Sequence, residues 1–228
     1  MAKKPESYFI SDFHFGDESI IKWERTQFEN IKQHDLHILM SLLEWYANSA
    51  EGSTLWVLGD FGNVNALRDF GDTLRGPKKM NLNYVSGNHD KHQDIDKFKE
   101  VFDNVYEYPI YLSHKLVVSH EAITCDDFCV NIHGHNHGSY LDSPNHICVS
   151  CNDIGYKPFK ISNLQKVYQK LPPRNMKFLW EPFADKYVFK DKSRKDIVCD
   201  PLTGKIDLAA SRVLQKSMRD KNWNLLKN

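Results

Sequence analysis

The sequence predicts an α/β protein: a two-sheet β-sandwich flanked by helices, followed by a C-terminal extension. Three observations carry this expectation. Apolar, strand-like runs alternate with helix-like segments over the first half of the chain and then follow one another directly. Most of these runs end in a short polar cluster, the pattern of α/β proteins whose site residues sit on loops after strands. Leu171-Pro172-Pro173 then interrupts any regular element, where the charge balance also reverses. The reading divides the chain into a main domain, residues 1–170, and an α+β extension, residues 171–228.

Residues 8–11 read as a strand and residues 17–33 as a polar loop containing Trp23, Arg25 and Phe28. Leu36, Leu39, Met40, Leu43, Tyr46 and Ala47 recur at helical spacing, predicting a helix that packs this row on the core. Asp35 or a near neighbour would cap its start. Residues 54–58 form a buried strand, 64–75 a second helix stopped by Gly76-Pro77, and 82–85 a further strand. Residues 94–102 read as a short helix, and 105–112 with 115–119 as a hairpin around Ser113-His114. Residues 131–133 and 146–151 complete the strands. In the extension, 186–189 reads as a strand and Asp200-Pro201-Leu202-Thr203-Gly204 as a turn. Ile206, Ala209, Ala210, Val213, Leu214 and Met218 trace a helical face. Phe178, Trp180, Phe183, Tyr187, Phe189 and Trp223 argue that this segment folds.

The polar clusters carry the chemistry. In order they are Asp12-Phe13-His14, Gly59-Asp60, Gly87-Asn88-His89-Asp90, Ser119-His120 and Gly134-His135-Asn136-His137. Each offers oxygen or imidazole donors, the groups that bind borderline divalent cations. Alone, each has an ordinary explanation: a capping Asp, a turn Asn, a core His, a polar turn. Together, each at a strand end, they point to a two-metal site.

This order resembles the calcineurin-like metallophosphoesterases, most closely a small bacterial and phage branch that opens Ser-Asp-x-His-Phe-Gly. Here that reads Ser11-Asp12-Phe13-His14-Phe15-Gly16, and the resemblance spans residues 7–165. Many relatives in the branch have His where Asp17 stands, a difference bearing on substrate contacts rather than on ligands. The resemblance implies the metallo-dependent phosphatase fold for residues 1–170. It implies that Asp12, His14 and His137 bind one divalent ion, that Asn88, His120 and His135 bind a second, and that the Asp60 carboxylate bridges both. A hydroxide shared by the ions would then attack phosphorus in a phosphodiester or phosphomonoester. His89 would contact the phosphoryl group and protonate the leaving oxygen, and Asp90 would orient a neighbouring His. Manganese is the metal the resemblance favours; the oxygen and nitrogen donor set also suits Fe, Zn, Co or Ni. Two divalent ions against the two carboxylates of Asp12 and Asp60 leave the site net positive, suited to a phosphate group.

Composition sets the surroundings. Of 228 residues, 41% are hydrophobic and 26% charged, ordinary for a soluble globular chain. The first ten residues hold no long apolar stretch and no run reaches membrane-span length, so the expectation is a cytoplasmic protein without signal peptide or membrane partner. The spacings Cys125-x3-Cys129 and Cys148-x2-Cys151 admit a structural zinc site, but the apolar run 147–151 favours buried thiols. Arg25 could grip a substrate phosphate or join a surface salt bridge. His34, His37, His92, His114, His133 and His146 are expected at the surface or beside the site. Residues 1–170 carry 17 Lys and Arg against 23 Asp and Glu; residues 171–228 carry 13 against 7. The leading reading is therefore a phosphoester hydrolase acting on a small phosphoester or nucleotide. A nucleic-acid-processing phosphodiesterase or nuclease, binding through the basic face of Arg212, Lys216, Arg219 and Lys221, is an alternative. A non-catalytic metal-binding interaction scaffold is another. Completeness of the seven ligands and His89 separates an enzyme from a scaffold.

Overall fold

The structure is a computed structural model that describes residues 3–90, 93–125, 129–137 and 145–164, and three strands beyond them at 187–190, 196–199 and 206–207. It is a mixed α/β arrangement with two sheets flanked by helices. The first sheet holds β1 (Ser7–Ile10), β2 (Thr54–Leu58), β3 (Asn81–Val85), β4 (Asn104–Tyr106) and β9 (Phe159–Lys160), in the order β4-β3-β2-β1-β9. β1 to β4 are parallel and β9 is antiparallel to β1. Parallel neighbours require long crossovers. α2 (Ile31–Asn48), α3 (Leu67–Leu74) and α4 (Ile95–Val101) lie within these three crossovers. The second sheet, β5 (Ile110–Ser113), β6 (Leu116–Val118), β7 (Val130–His133) and β8 (His146–Cys148), runs in sequence order.

Alternation along the first sheet builds two cores. Phe9, Trp56, Leu58 and Val85 pack with Ile110, Leu116, Val118, Val130 and Ile132, joining the two sheets face to face. Their neighbours Ile10, Leu55, Val57, Leu82 and Tyr84 pack with Ile38, Leu42, Trp45, Phe70, Leu74 and Phe98 of the helices. Both faces are therefore covered, which is why these strands read as continuous apolar runs.

Local details differ from the sequence reading where tertiary contacts override pattern. α2 begins at Ile31, and its cap is Asn30, whose Oδ1 accepts from the Gln33 N–H at 2.9 Å; Asp35 lies inside the helix. Its buried row is His34, Ile38, Leu42 and Trp45, while Leu36, Met40 and Leu43 are 60%, 57% and 43% exposed. Of the predicted row only Leu39 and Tyr46 reach the core. α2 carries apolar residues around much of its circumference, so spacing alone does not select the face. Residues 105–112 are not one strand: β4 ends at Tyr106 in the first sheet and β5 begins at Ile110 in the second, with Pro109 between. Proline lacks the N–H a continuous strand would need. The polar loop after β1 contains a short helix, α1 (Glu18–Trp23), capped by Asp17.

Beyond residue 170, β10 (Tyr187–Lys190), β11 (Asp196–Cys199) and β12 (Ile206–Asp207) form a separate antiparallel sheet. Ile206 therefore belongs to a strand rather than to the predicted helical face. The division at residues 171–173, the turn at 200–204, and Arg212, Lys216, Arg219 and Lys221 lie outside the described residues. Among the described residues, no helix is long and apolar enough to cross a membrane.

Candidate metal centre

β1 ends where both sheets meet. The loops after β1 and β2 continue side by side: Asp12 N–H donates to Gly59 O, His14 to Asp60 O and Phe15 to Phe61 O, each at 3.0 Å. On the other flank, Ser11 N–H donates to Val149 O at 3.0 Å, and Cys151 N–H donates to Ser11 O at 3.1 Å. The two sheets are thus stitched together at Ser11, and the polar clusters converge there. Gly59, at φ 82°, is required at this point, because a Cβ would lie 2.6 Å from Gly87 Cα and His120 Nδ1. Gly134 is equally constrained, since a Cβ there would lie 2.5 Å from Asp12 Oδ2.

Backbone conformation marks the site independently. Among the described residues, seven non-glycine residues have positive φ, and five are Asp12, His14, Asp60, His135 and His137. Left-handed backbone disfavours L-residues by roughly 1–2 kcal/mol each. Such outliers concentrate at functional sites, where surrounding contacts enforce them.

Two groups of side chains face one another. Asp12, His14 and His137 bring one potential ligand atom each within 4.8 Å of the others, and Asp60, His120 and His135 do the same. These two Asp/His groups could hold metal ions. Asp60 lies between them: its Oδ2 is 3.2 Å from His120 Nε2 and 3.7 Å from His14 Nε2. Asn88 joins the second group, with Oδ1 2.8 Å from His120 Nε2. The seven residues singled out in the sequence therefore meet in one place. His89 stands at the rim with its side chain exposed; its backbone N–H donates to Asp60 Oδ1 at 2.9 Å, and its ring centroid lies 5.3 Å from that of His14.

The orientation of the imidazoles tests the fit to a cation. His14 Nδ1 faces Asp17 Oδ2 at 3.3 Å, His120 Nδ1 faces Leu58 O at 2.8 Å, and His137 Nδ1 faces Glu24 Oε2. An acceptor behind each Nδ1 keeps a proton there and turns the Nε2 lone pair inward, as in metal-binding histidines. His14 Nε2 is buried with no hydrogen-bond partner, a costly arrangement unless something else binds it. The donor set fits a divalent ion.

Charge supports this. Burial pushes His14 down to about 4, against the pull of Asp12 and Asp60, so it is neutral and ready to ligate. Burial also opposes charge on His120, but the Asp60 hydrogen bond and the Asp12 and Asp60 carboxylates outweigh it and raise the group to about 9. His137 is raised likewise, burial being overcome by its contacts with Asp12 and Glu24. Burial would raise Asp12 and Asp60, yet both carboxyls lie below the ordinary carboxylate range, held down chiefly by His137 at Asp12 and by His120 at Asp60. Without metal, protonated imidazoles therefore supply the site's positive charge.

A pH prediction follows for the metal-free protein. His120 has a folded value above its ordinary 6.5, so its contribution to stability is complete below about 6.5 and is lost as pH rises through about 9. The melting temperature of metal-free protein should fall over that interval through this group. Metal must displace the same proton, so uptake should strengthen over the interval and release protons at pH 7. Calorimetry in buffers of different ionisation enthalpy counts them; binding with no proton release would contradict the assignment of His120.

Several residues behind the site have roles the sequence did not disclose. Among the described residues no hydrogen bond joins Asp90 to a histidine, contrary to expectation. Asp90 is buried and accepts from the N–H groups of Asp60 at 2.8 Å, Phe61 at 3.1 Å and Gly87 at 2.7 Å, and from the Tyr84 hydroxyl. It thereby ties the Asp60 loop to the Asn88 loop. Arg25 is neither exposed to grip a substrate phosphate nor, among the described residues, part of a salt bridge: it is fully buried against Asp12 and Phe13. His34 and His133 are also buried. Glu24 was missed because nothing local distinguishes it; only the fold brings it 113 residues along the chain to His137. The cysteines form no metal group among the described residues, and burial pushes Cys151 up to about 12.

No protein-family model matches the chain. An uncharacterised protein of Methanocaldococcus jannaschii is 28% identical over 174 residues, covering 72% of this chain and 91% of that protein. A solved protein of unknown function from Aquifex aeolicus superposes with a TM-score of 0.55 at 25% identity, over 72% of this chain and 100% of the other. These two likenesses bring no activity with them. The nuclease MPE of Pseudomonas putida aligns at 19% identity over 57% of this chain and 60% of its own, with a TM-score of 0.42, too low to bear on function.

Proposed function

We propose that this chain is a phosphoester hydrolase that works with two divalent metal ions. The observation that carries the reading is the meeting of the two ligand groups at Asp60, whose carboxylate faces a histidine of each. Asp12, His14 and His137 would hold one ion, Asn88, His120 and His135 the other, and Asp60 both. When bound, such ions polarise phosphoryl oxygens and acidify water at neutral pH. The chain itself supplies the rest. The carboxylates of Asp12 and Asp60 fix the charge of the centre. The groups behind the imidazoles of His14, His120 and His137 fix their orientation. His89, exposed at the rim, would contact a phosphoryl group and deliver a proton to the leaving oxygen. His135 is exposed as well, so the centre opens to solvent at these two residues.

The calcineurin-like pattern of the motifs supports the same reading and makes manganese the first metal to try. Phosphodiesters and phosphomonoesters both suit the centre. The positive balance of residues 171–228 is what favours a nucleic-acid substrate as a second reading.

The test is a substrate panel on metal-stripped protein reloaded with Mn, Fe, Co, Ni or Zn. A chromogenic diester, a chromogenic monoester and a short single-stranded oligonucleotide should be offered to each form. We expect turnover of at least one that requires two equivalents of metal, vanishes with chelator and returns on reloading. If only the oligonucleotide is cut, with a rate falling steeply as salt rises, the substrate is nucleic acid. Two metals bound with no hydrolysis of any of the three would favour the scaffold reading instead.

A further inference from the structure

We propose that the segment from Asp17 to Arg25 is a dedicated support for one of the two metal groups, with Arg25 as its positioning residue. The inference rests on the two-metal reading above. Its starting point is that the three residues of the first group are each touched from behind by this one segment. Asp17 meets His14 Nδ1 at 3.3 Å, Glu24 meets His137 Nδ1, and Arg25 meets the backbone of Asp12. None of the hydrogen bonds of Asp17, Glu24 and Arg25 among the described residues reaches Asp60, Asn88, His120 or His135. That second group leans instead on Leu58 O and on the loop that Asp90 ties down.

Arg25 is the keystone because of what it is bonded to. Its guanidinium is fully buried and, among the described residues, bonds to no carboxylate. Nη2 donates to Asp12 O and Nη1 to Phe13 O at 3.0 Å. Nη1 also donates to His34 Nε2 at 2.7 Å, and Nε donates to Asn152 Oδ1 at 2.6 Å. The guanidinium lies over the Tyr156 ring, 5.7 Å from its centroid. The relay continues: His34 Nδ1 donates to Asp35 Oδ1 at 2.8 Å, and Asp35 Oδ2 accepts the Gly16 N–H at 3.0 Å. The loop carrying Asp12 and His14 is therefore gripped at both ends. Both residues sit in left-handed backbone, φ 59° and 52°, which needs such a grip to persist. Four directed bonds in one plane are a property of arginine's fork, which lysine's single ammonium cannot reproduce.

The inference predicts damage confined to one metal. Full-length wild-type protein and Arg25→Lys should be stripped and titrated with Mn2+, followed by calorimetry and by electron paramagnetic resonance, which distinguishes a coupled pair of Mn2+ ions from an isolated one. Wild type should bind two equivalents and give the coupled signal. Arg25→Lys keeps the charge and loses the fork. It should bind one equivalent about as tightly as wild type and the other roughly 10–100-fold more weakly, the usual cost of altering a residue behind a ligand, with the isolated signal at one equivalent. General loosening would weaken both sites together. Asn152→Leu removes only the acceptor at Nε, at a half-buried position. It should weaken the same site by several-fold, and Asn152→Asp, which restores an acceptor, should recover it. This pair decides the matter where Arg25→Lys does not fold. Equal weakening of both sites, or wild-type titration by Arg25→Lys or Asn152→Leu, overturns the role of Arg25 and leaves the metal reading intact. Wild-type protein that takes up none of the metals overturns both.

Discussion

Asp60→Asn should reduce bound metal from two equivalents to one or fewer and abolish measurable hydrolysis. One carboxylate oxygen, Oδ2, lies between the two groups, 3.2 Å from His120 Nε2 and 3.7 Å from His14 Nε2. An amide oxygen in its place is neutral and a weaker donor, so it holds two cations far less well than a carboxylate. The fall in activity should exceed the roughly 10–100-fold that follows from altering a residue behind a ligand. The substitution is a clean probe because Asn tolerates the left-handed conformation of this position, φ 50°. The bond from the residue 60 N–H to Asp90 also survives, so the loop should keep its place. Metal content by mass spectrometry and a melting curve check the two halves of the expectation. Two ions at full occupancy with unchanged turnover would rule out the bridging role.

His89→Ala should lower the rate by about 10²–10⁴-fold, the range for loss of a positioned acid or base. Metal content should stay at two equivalents. The reason lies in which atom is used: the bond to Asp60 Oδ1 comes from the backbone N–H of residue 89, and alanine keeps it. What disappears is the exposed imidazole beside His14. Loss of metal along with activity would make His89 a ligand, and a rate close to wild type would leave it without a part in the reaction.

Asp12, His14, Asp60, Asn88, His120, His135 and His137 could be read in the sequence because each follows an apolar run that becomes a strand. The chain end of a strand in an α/β sheet is a place the pattern itself specifies. The supporting residues could not. Glu24 and Arg25 sit in a stretch without periodicity, and their partners are set by how α1 and α2 fold back over β1. Arg25 shows the difficulty well: a lone arginine in a polar loop reads as a surface group, and the acceptors that make its burial tolerable, the carbonyls of Asp12 and Phe13 with His34 and Asn152, are brought to it by the fold. Leu36, Met40 and Leu43 mislead for the opposite reason. They keep helical spacing, but His34, Ile38, Leu42 and Trp45 take the buried face, His34 meeting Arg25 there, and Leu36, Met40 and Leu43 are left outward.

The joining of the sheets at Ser11 also dictates when the centre can exist during synthesis. Asp12 emerges early, yet its carboxylate is bonded by the His135 N–H, 123 residues later, and Ser11 is pinned by Val149 and Cys151. Contacts this distant form only after the intervening chain has been made and both sheets have docked. Chains add residues at about 5–20 per second, so a ribosome-bound fragment spends several seconds with His14 and Asp60 exposed and His137 not yet made. Such a fragment holds pieces of both groups and the whole of neither. Uptake of the proposed ions would therefore follow docking of the two sheets, and a chain stalled before Ser150 should bind none.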